Sequence, residues 1–228
     1  HVSGGRIEGS TTMASNGSFS AFEEGYPVWY FRGYQVDHLD EKGNPVFRDN
    51  DKNGVIDASD KAMIGKPMPD FTYGVTLAAN YKNFDLLVFG NGSVGNDVFM
   101  SYSYNHIFYP LKEIYDQRWT PDGSTNRKYA RPQLTNADKY GLSDAYIFDG
   151  SYFRIKQIQL GYTFPKKLIK HALLENVRVY ASLDNFFLFT KYPGLDPEVS
   201  STSTSGMGVD YGNYPTTKKV VFGLSVTF

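Results

Sequence analysis

Phe71-Thr72-Tyr73-Gly74-Val75-Thr76-Leu77-Ala78-Ala79-Asn80-Tyr81 alternates with a period of two: the odd positions are aromatic or aliphatic, and the even ones are Thr, Gly, Ala and Asn. Successive side chains of an extended chain point to opposite faces, so the stretch predicts one long strand with an apolar and a polar side. Lys82 and Asn83 form a two-residue turn, and Phe84 to Val94 returns as the second arm of a hairpin. The pattern of that second arm leaves its inner and outer faces unassigned.

The same period recurs along the chain. From Tyr152 to Phe164 the apolar set Phe153 and Ile155 slips by one residue to Ile158, Leu160, Tyr162 and Phe164, which predicts a bulge near Lys156 and Gln157. Val177, Val179, Ala181 and Leu183 alternate with polar neighbours, and Val220, Phe222, Leu224, Val226 and Phe228 alternate with Val221, Gly223, Ser225 and Thr227. Val28 to Asp37 is a weaker sixth candidate. The composition agrees with an all-β chain: 18 Tyr, 17 Phe and 2 Trp stand among only 41% hydrophobic residues.

Charge and cysteine content narrow the function. The formal net charge is -1, so neither a phosphate-tracking basic surface nor an acidic tail is indicated, and no nucleic-acid partner is expected. The absence of cysteine removes disulfide frameworks, thiolate metal sites and cysteine nucleophiles. The longest apolar run, Leu86 to Phe89, falls far short of the roughly 18 residues a spanning helix needs. His1 to Ser10 has neither a basic start nor an apolar stretch, so no signal peptide is expected there, and the chain reads as a piece of something longer.

Strands of about 10 to 14 residues exceed the usual soluble length and suit a tilted membrane-spanning strand. A soluble sandwich with long strands remains open on periodicity alone. The connections favour the membrane: His38 to Asp70, Gly95 to Gly150 and Lys191 to Pro215 are long, whereas Lys82 with Asn83 and Pro165 to Asn176 are short. Outer-membrane barrels alternate in that way, with short periplasmic turns and long extracellular loops. Tyr81, Phe84, Tyr162 and Phe164 then fall at the periplasmic interface, and Phe186, Phe187 and Phe189 near the outer one. Six strands are too few to close a bacterial barrel, whose smallest form has about eight, so either further strands lie upstream of His1, the preferred expectation, or several copies assemble one barrel.

Many short signatures occur in order. Glu24-Gly25-Tyr26-Pro27, Phe31-Arg32-Gly33-Tyr34, Ile64-Gly65-Lys66-Pro67-Met68-Pro69-Asp70-Phe71-Thr72-Tyr73-Gly74 and Ser151-Tyr152-Phe153-Arg154-Ile155-Lys156 resemble SusC/RagA-type TonB-dependent transporters. So do Asp184-Asn185-Phe186, Thr190-Lys191-Tyr192-Pro193-Gly194-Leu195-Asp196-Pro197-Glu198, Gly208-Val209-Asp210 and the terminal Gly223 to Phe228. His38 departs from the pattern, standing where a small residue is expected.

The resemblance implies that residues 28–228 are the C-terminal part of a transmembrane barrel of about 22 antiparallel strands with long extracellular loops. Residues 1–27 stay an unassigned upstream strand or loop region. It further implies an outer membrane of Gram-negative, Bacteroidota-like type, import of glycans or peptides energised by TonB through a segment outside this chain, and a SusD-like surface lipoprotein as partner. The competing reading is a secreted or surface-attached, calcium-stabilised, all-β glycan-binding module. A passive diffusion porin is a third.

Asp49-Asn50-Asp51-Lys52-Asn53-Gly54-Val55-Ile56-Asp57-Ala58-Ser59-Asp60 fits a calcium-loop template. A hard cation needs six or more oxygens, which Asp49, Asp51, Asn53, the Val55 carbonyl, Asp57 and Asp60 would supply, with Gly54 at the sharp turn. The bland alternative is a solvated turn. Position twelve is Asp60, where EF-hands carry a bidentate Glu.

Other motifs favour structure. Gly90-Asn91-Gly92-Ser93-Val94-Gly95 matches a dinucleotide fingerprint, with Glu113 at a suitable distance, but no helical face follows it. His1, His38, His106 and His171 have no ligand spacing, and Asp196 with Glu198 reads as a turn, so no enzyme is expected. Lys166, Lys167 and Lys170 read as a solvated face of a short turn. Tyr102, Tyr104, Phe108, Tyr109, Tyr115 and Trp119 could stack on sugars or peptides, or pack the longest loop on itself.

Overall fold

A computed structural model of the chain describes residues 5–8, 19–101, 103–104, 107–108, 112–123, 128–132, 137–170, 174–198 and 206–228. Five long strands form one antiparallel meander: β1 (Phe71–Tyr81), β2 (Phe84–Val94), β3 (Tyr152–Thr163), β4 (Asn176–Thr190) and β5 (Lys219–Thr227). Their spatial order is β5-β4-β3-β2-β1. No described helix is long and apolar enough to cross a membrane.

Register extends the alternation of β1 across the sheet. Leu77 faces Val88, Val88 faces Ile158, Ile158 faces Leu183 and Leu183 faces Val220. One face therefore carries Val75, Leu77, Leu86, Leu160, Val179, Phe222 and Leu224, all of them exposed. The other carries Thr76, Asp85, Gln159, Arg178, Ser182 and Ser225. Pairing thus assigns Phe84, Leu86, Val88, Gly90 and Gly92 of β2 to the apolar face.

The expected bulge lies where the slip in periodicity put it, between Ile155 and Gln157. Lys156 is extra relative to β2, while on β4 the register jumps from Asp184 to Phe187. Asn185 takes up that jump at φ 60°, a left-handed conformation that Asn tolerates better than most residues.

The sixth candidate strand is corrected. Val28 to Asp37 is not one long amphipathic strand: Trp29 has φ 52°, Tyr30–Gly33 is a four-residue strand buried on every side, and pairing resumes separately at Val36–Leu39. A strand enclosed on both faces has no exposed apolar row to present to lipid. The departure noted at His38 coincides with a register irregularity between Val36 and His38.

Two compact units result, the five-strand sheet and a unit drawn from His1–Asp70, Gly95–Gly150 and Tyr192–Tyr214. In the latter, Arg6–Glu8, Ser20–Glu23, Tyr30–Gly33 and Ala62–Gly65 form one sheet, and Ile147–Asp149, Asp97–Met100 and Val209–Asp210 form another. Its core is Phe19, Phe31, Tyr34, Phe99, Leu142 and Val209, with Phe19 stacked on Phe99 at 4.9 Å. Tyr192 donates its hydroxyl to the buried Asp210 at 2.6 Å, and Asp210 also accepts the Gly212 amide at 2.8 Å. The Tyr192 and Asp210 signatures thus meet in a buried, satisfied hydrogen bond.

Candidate functional site

The loop from Asp49 to Asp60 is built by short-range hydrogen bonds. Gly54 donates its amide to Asp49 at 2.8 Å, and Asn53 donates its amide to Asp51 at 3.1 Å and its side-chain nitrogen to the same carboxylate at 2.9 Å. Ser59 gives its hydroxyl to Asp51 at 2.7 Å and to Asp57 at 2.6 Å. Asp57 caps the turn Ala58–Asp60, and Asp60 reaches back to accept the Asp57 amide at 2.8 Å, a reciprocal capping box. Gly54 has φ 82° with open space around it, so backbone conformation, not crowding, selects glycine there.

This scaffold brings Asp49, Asp51 and Asp60 together, with carboxylate oxygens within 4.8 Å of one another. Asp60 is fully buried. Asp57 is turned toward Ser59, and Asn53 directs its oxygen to the Val55 amide at 2.7 Å. Asp57 is held below the usual carboxylate range by the Ser59 hydroxyl and amide. Asp60 is held low by the Asp57 amide and then the Asn50 amide. Both groups are stabilised in the ionised form that an oxygen-seeking cation requires. Three convergent carboxylates in a preformed loop fit a hard divalent cation, and the donor set excludes a soft metal.

The glycines of the fingerprint-like stretch have a packing role. A side chain on Gly90 would meet the Phe153 ring at 2.7 Å, and one on Gly92 would meet the Tyr73 ring at 2.7 Å. Tyr73 and Phe153 stack at 5.8 Å with an interplanar angle of 4°, and Phe153 stacks on Phe189 at 6.3 Å. The G-x-G spacing thus lets rings lie flat on the apolar face of the sheet. At the opposite end Phe84 contacts Tyr162 at 4.8 Å, and Tyr162 contacts Phe164 at 5.2 Å. Two aromatic rows bracket the exposed apolar band, as girdles do.

Of the other candidates, Asp196 accepts the Glu198 amide at 3.0 Å, a local turn. His38 pairs with Asp37 at 2.9 Å. His1, His106, His171, Tyr102 and Tyr109, and the side chains of Tyr104 and Phe108, lie outside the described residues. Trp119 packs against the Gly43 turn, and Tyr115 lies under the Arg118 guanidinium at 3.7 Å. Sequence reasoning missed the pair Arg178 and Asp85 on the polar face, joined by two hydrogen bonds, one of 3.0 Å. Parity placed Arg178 on the polar face of its strand, but the face of Asp85 is fixed only by strand pairing.

No protein-family model matches the chain. It is 33% identical to the TonB-dependent receptor P3 of Formosa agariphila over 82% of its length, which covers 19% of that protein. It is 33% identical to the TonB-dependent receptor SusC of Bacteroides thetaiotaomicron over 95% of its length, covering 21% of that protein. The chain therefore spans about a fifth of the length of the relatives it matches. A solved structure of the RagAB peptide transporter superposes with a TM-score of 0.73 over 98% of this chain and 24% of that one, at 22% identity. The RagAB peptide importer in its open-open state gives 0.71 over 97% of this chain and 24% of that one, at 23% identity.

Proposed function

The chain belongs to the SusC/RagA-type TonB-dependent receptors, and from that membership we propose that it forms wall strands and three outer connections of an outer-membrane nutrient importer. The observation that carries the reading is the apolar face of the sheet. Its side chains are exposed across five strands, Leu77 at 63% and Phe222 at 80%, between two aromatic rows. An exposed apolar area of that extent belongs against lipid or a partner, and its aromatic borders favour lipid. A soluble glycan-binding module would have to cover that face.

Strand direction supports an orientation in the membrane. The ends at Phe71, Val94, Tyr152 and Thr190 lie together, and the long connections start and finish there. That end faces the cell exterior and the short turns face the periplasm. The remaining strands of a closed barrel, of about 22 in all, complete the wall. The receptor imports a glycan or peptide, draws energy through TonB, and works with a SusD-like lipoprotein as a transporter and not an enzyme.

The loop at 49–60 holds a structural calcium on Asp49, Asp51 and Asp60, completed by the Val55 backbone carbonyl and by Asn53 and Asp57 once the side chains of those two turn inward. The cation would neutralise the convergent carboxylates, and extracellular calcium fills sites of roughly 10⁻⁴ to 10⁻³ M.

Cysteine labelling of the full-length receptor, in a background where any cysteine outside these 228 residues is replaced by serine, tests the topology; the 228 residues themselves contain no cysteine. Val55→Cys should react on intact cells with a maleimide too large for porins, and Lys167→Cys only after the outer membrane is permeabilised. Equal labelling of both on intact cells would overturn the reading. Uptake of the cognate nutrient should stop in cells lacking TonB.

A further inference from the structure

Resting on the outer-membrane reading, we propose that the periplasmic end of this sheet binds the anionic headgroups of inner-leaflet phospholipids. Four lysines gather in its two short turns. Lys82 stands in the β1–β2 turn with its ammonium 5.2 Å from the Tyr81 ring. Lys166, Lys167 and Lys170 follow β3 in and just after a short helix, α1 (Lys166–Ile169), and all four lysines are exposed. The Thr163 amide donates to the Asn83 carbonyl at 2.8 Å, which holds the two turns side by side.

The position of these lysines relative to the apolar face makes the assignment. Tyr81, Phe84 and Tyr162 form the last row of that face, and Tyr81 is 69% exposed. The lysines come directly after this row, at the depth where aromatic belts give way to phosphates. Leu168 sits among them and is 68% exposed, whereas Ile169 is buried beneath. A phospholipid offers a phosphate and the root of an acyl chain at one place, matching ammonium groups interleaved with an exposed leucine. An acidic polypeptide would satisfy the charges and leave Leu168 and Tyr81 in water. Opposing charge is slight: Arg178 engages Asp85, and Glu175 is the exposed carboxylate of the second turn.

The full-length receptor in nanodiscs provides the test. Moving from phosphatidylcholine alone to a mixture with phosphatidylglycerol should raise its unfolding midpoint by on the order of 5 °C, and phosphatidylglycerol should co-purify in native mass spectra. Replacing the four lysines together by glutamine should abolish the shift and the retained lipid, with the midpoint in phosphatidylcholine unchanged. Replacing them by arginine should preserve both. A glutamine variant that keeps the shift would overturn the inference, as would an equal shift from inorganic phosphate or polyglutamate in phosphatidylcholine discs. Failure of the wild type to enter nanodiscs as a folded barrel would instead overturn the outer-membrane reading beneath it.

Discussion

Arg178 grips Asp85 in a two-point ion pair that passes over Gly161, the residue lying between them on the intervening strand. A β-carbon at Gly161 would stand 2.3 Å from an Asp85 carboxylate oxygen and 2.5 Å from an Arg178 nitrogen. The pair therefore depends on glycine at that site. Arg178→Ala should lower the stability of the full receptor by about 1 to 3 kcal/mol, the range for a hydrogen bond to a charged group. Gly161→Ala should cost a similar amount, and adding it to Arg178→Ala should cost less than the sum. Thermal or denaturant unfolding in detergent reads all three, and full additivity would show that the two sites are independent.

Leu77 and Thr76 are neighbours in sequence on opposite faces of β1. Leu77 lies midway between the aromatic rows at Tyr73 and Tyr81, near the bilayer centre on the proposed topology. Leu77→Arg should cost about 2 to 4 kcal/mol in lipid and Thr76→Arg much less. Equal losses would show that the apolar face does not meet hydrocarbon.

Asp49→Ala combined with Asp51→Ala should remove calcium-dependent stabilisation of the 49–60 loop. Wild type should gain about 1 to 3 kcal/mol at calcium ten to a hundred times its dissociation constant, and the double variant nothing. Chelation should bring wild-type loop exchange to the level of the variant. An identical calcium response in both would leave the loop as a turn held by its own hydrogen bonds.

Asp97 supplies a pH dependence. Burial pushes its carboxyl above the usual range, opposed by the Lys66 amide at 3.0 Å, while Asp149 and Asp70 add to the rise and the Lys66 charge counters it. A folded-state value above the unfolded one means that the folded unit binds the proton more tightly. Stability is then lost as pH rises from the ordinary carboxylate range through the raised value. Asp97→Asn keeps an acceptor for the Lys66 amide and removes the charge. Hydrogen exchange over Asp97–Met100 should slow in the variant above that window and match wild type below it.

Alternation is a local property, so β1, β3, β4, β5 and the bulge at Lys156 were legible from residue order alone. The carboxylate spacing of the 49–60 loop was legible for the same reason, since twelve contiguous residues close it. β2 could not be assigned, because Leu87 and Phe89 put apolar groups on its polar row, and only the pairing of Leu77 with Val88 and Val88 with Ile158 fixes its faces. Val28 to Asp37 looked like a strand but is divided by enclosure of Tyr30–Gly33 within its own unit, which no local pattern encodes. Within the 49–60 loop, spacing named six candidate ligands, whereas hydrogen bonding gathers Asp49, Asp51 and Asp60 and turns Asp57 to Ser59. Arg178 and Asp85 stand 93 residues apart. Their meeting depends on the register of three strands, and register arises from backbone pairing between distant segments, a quantity residue order carries only in sum.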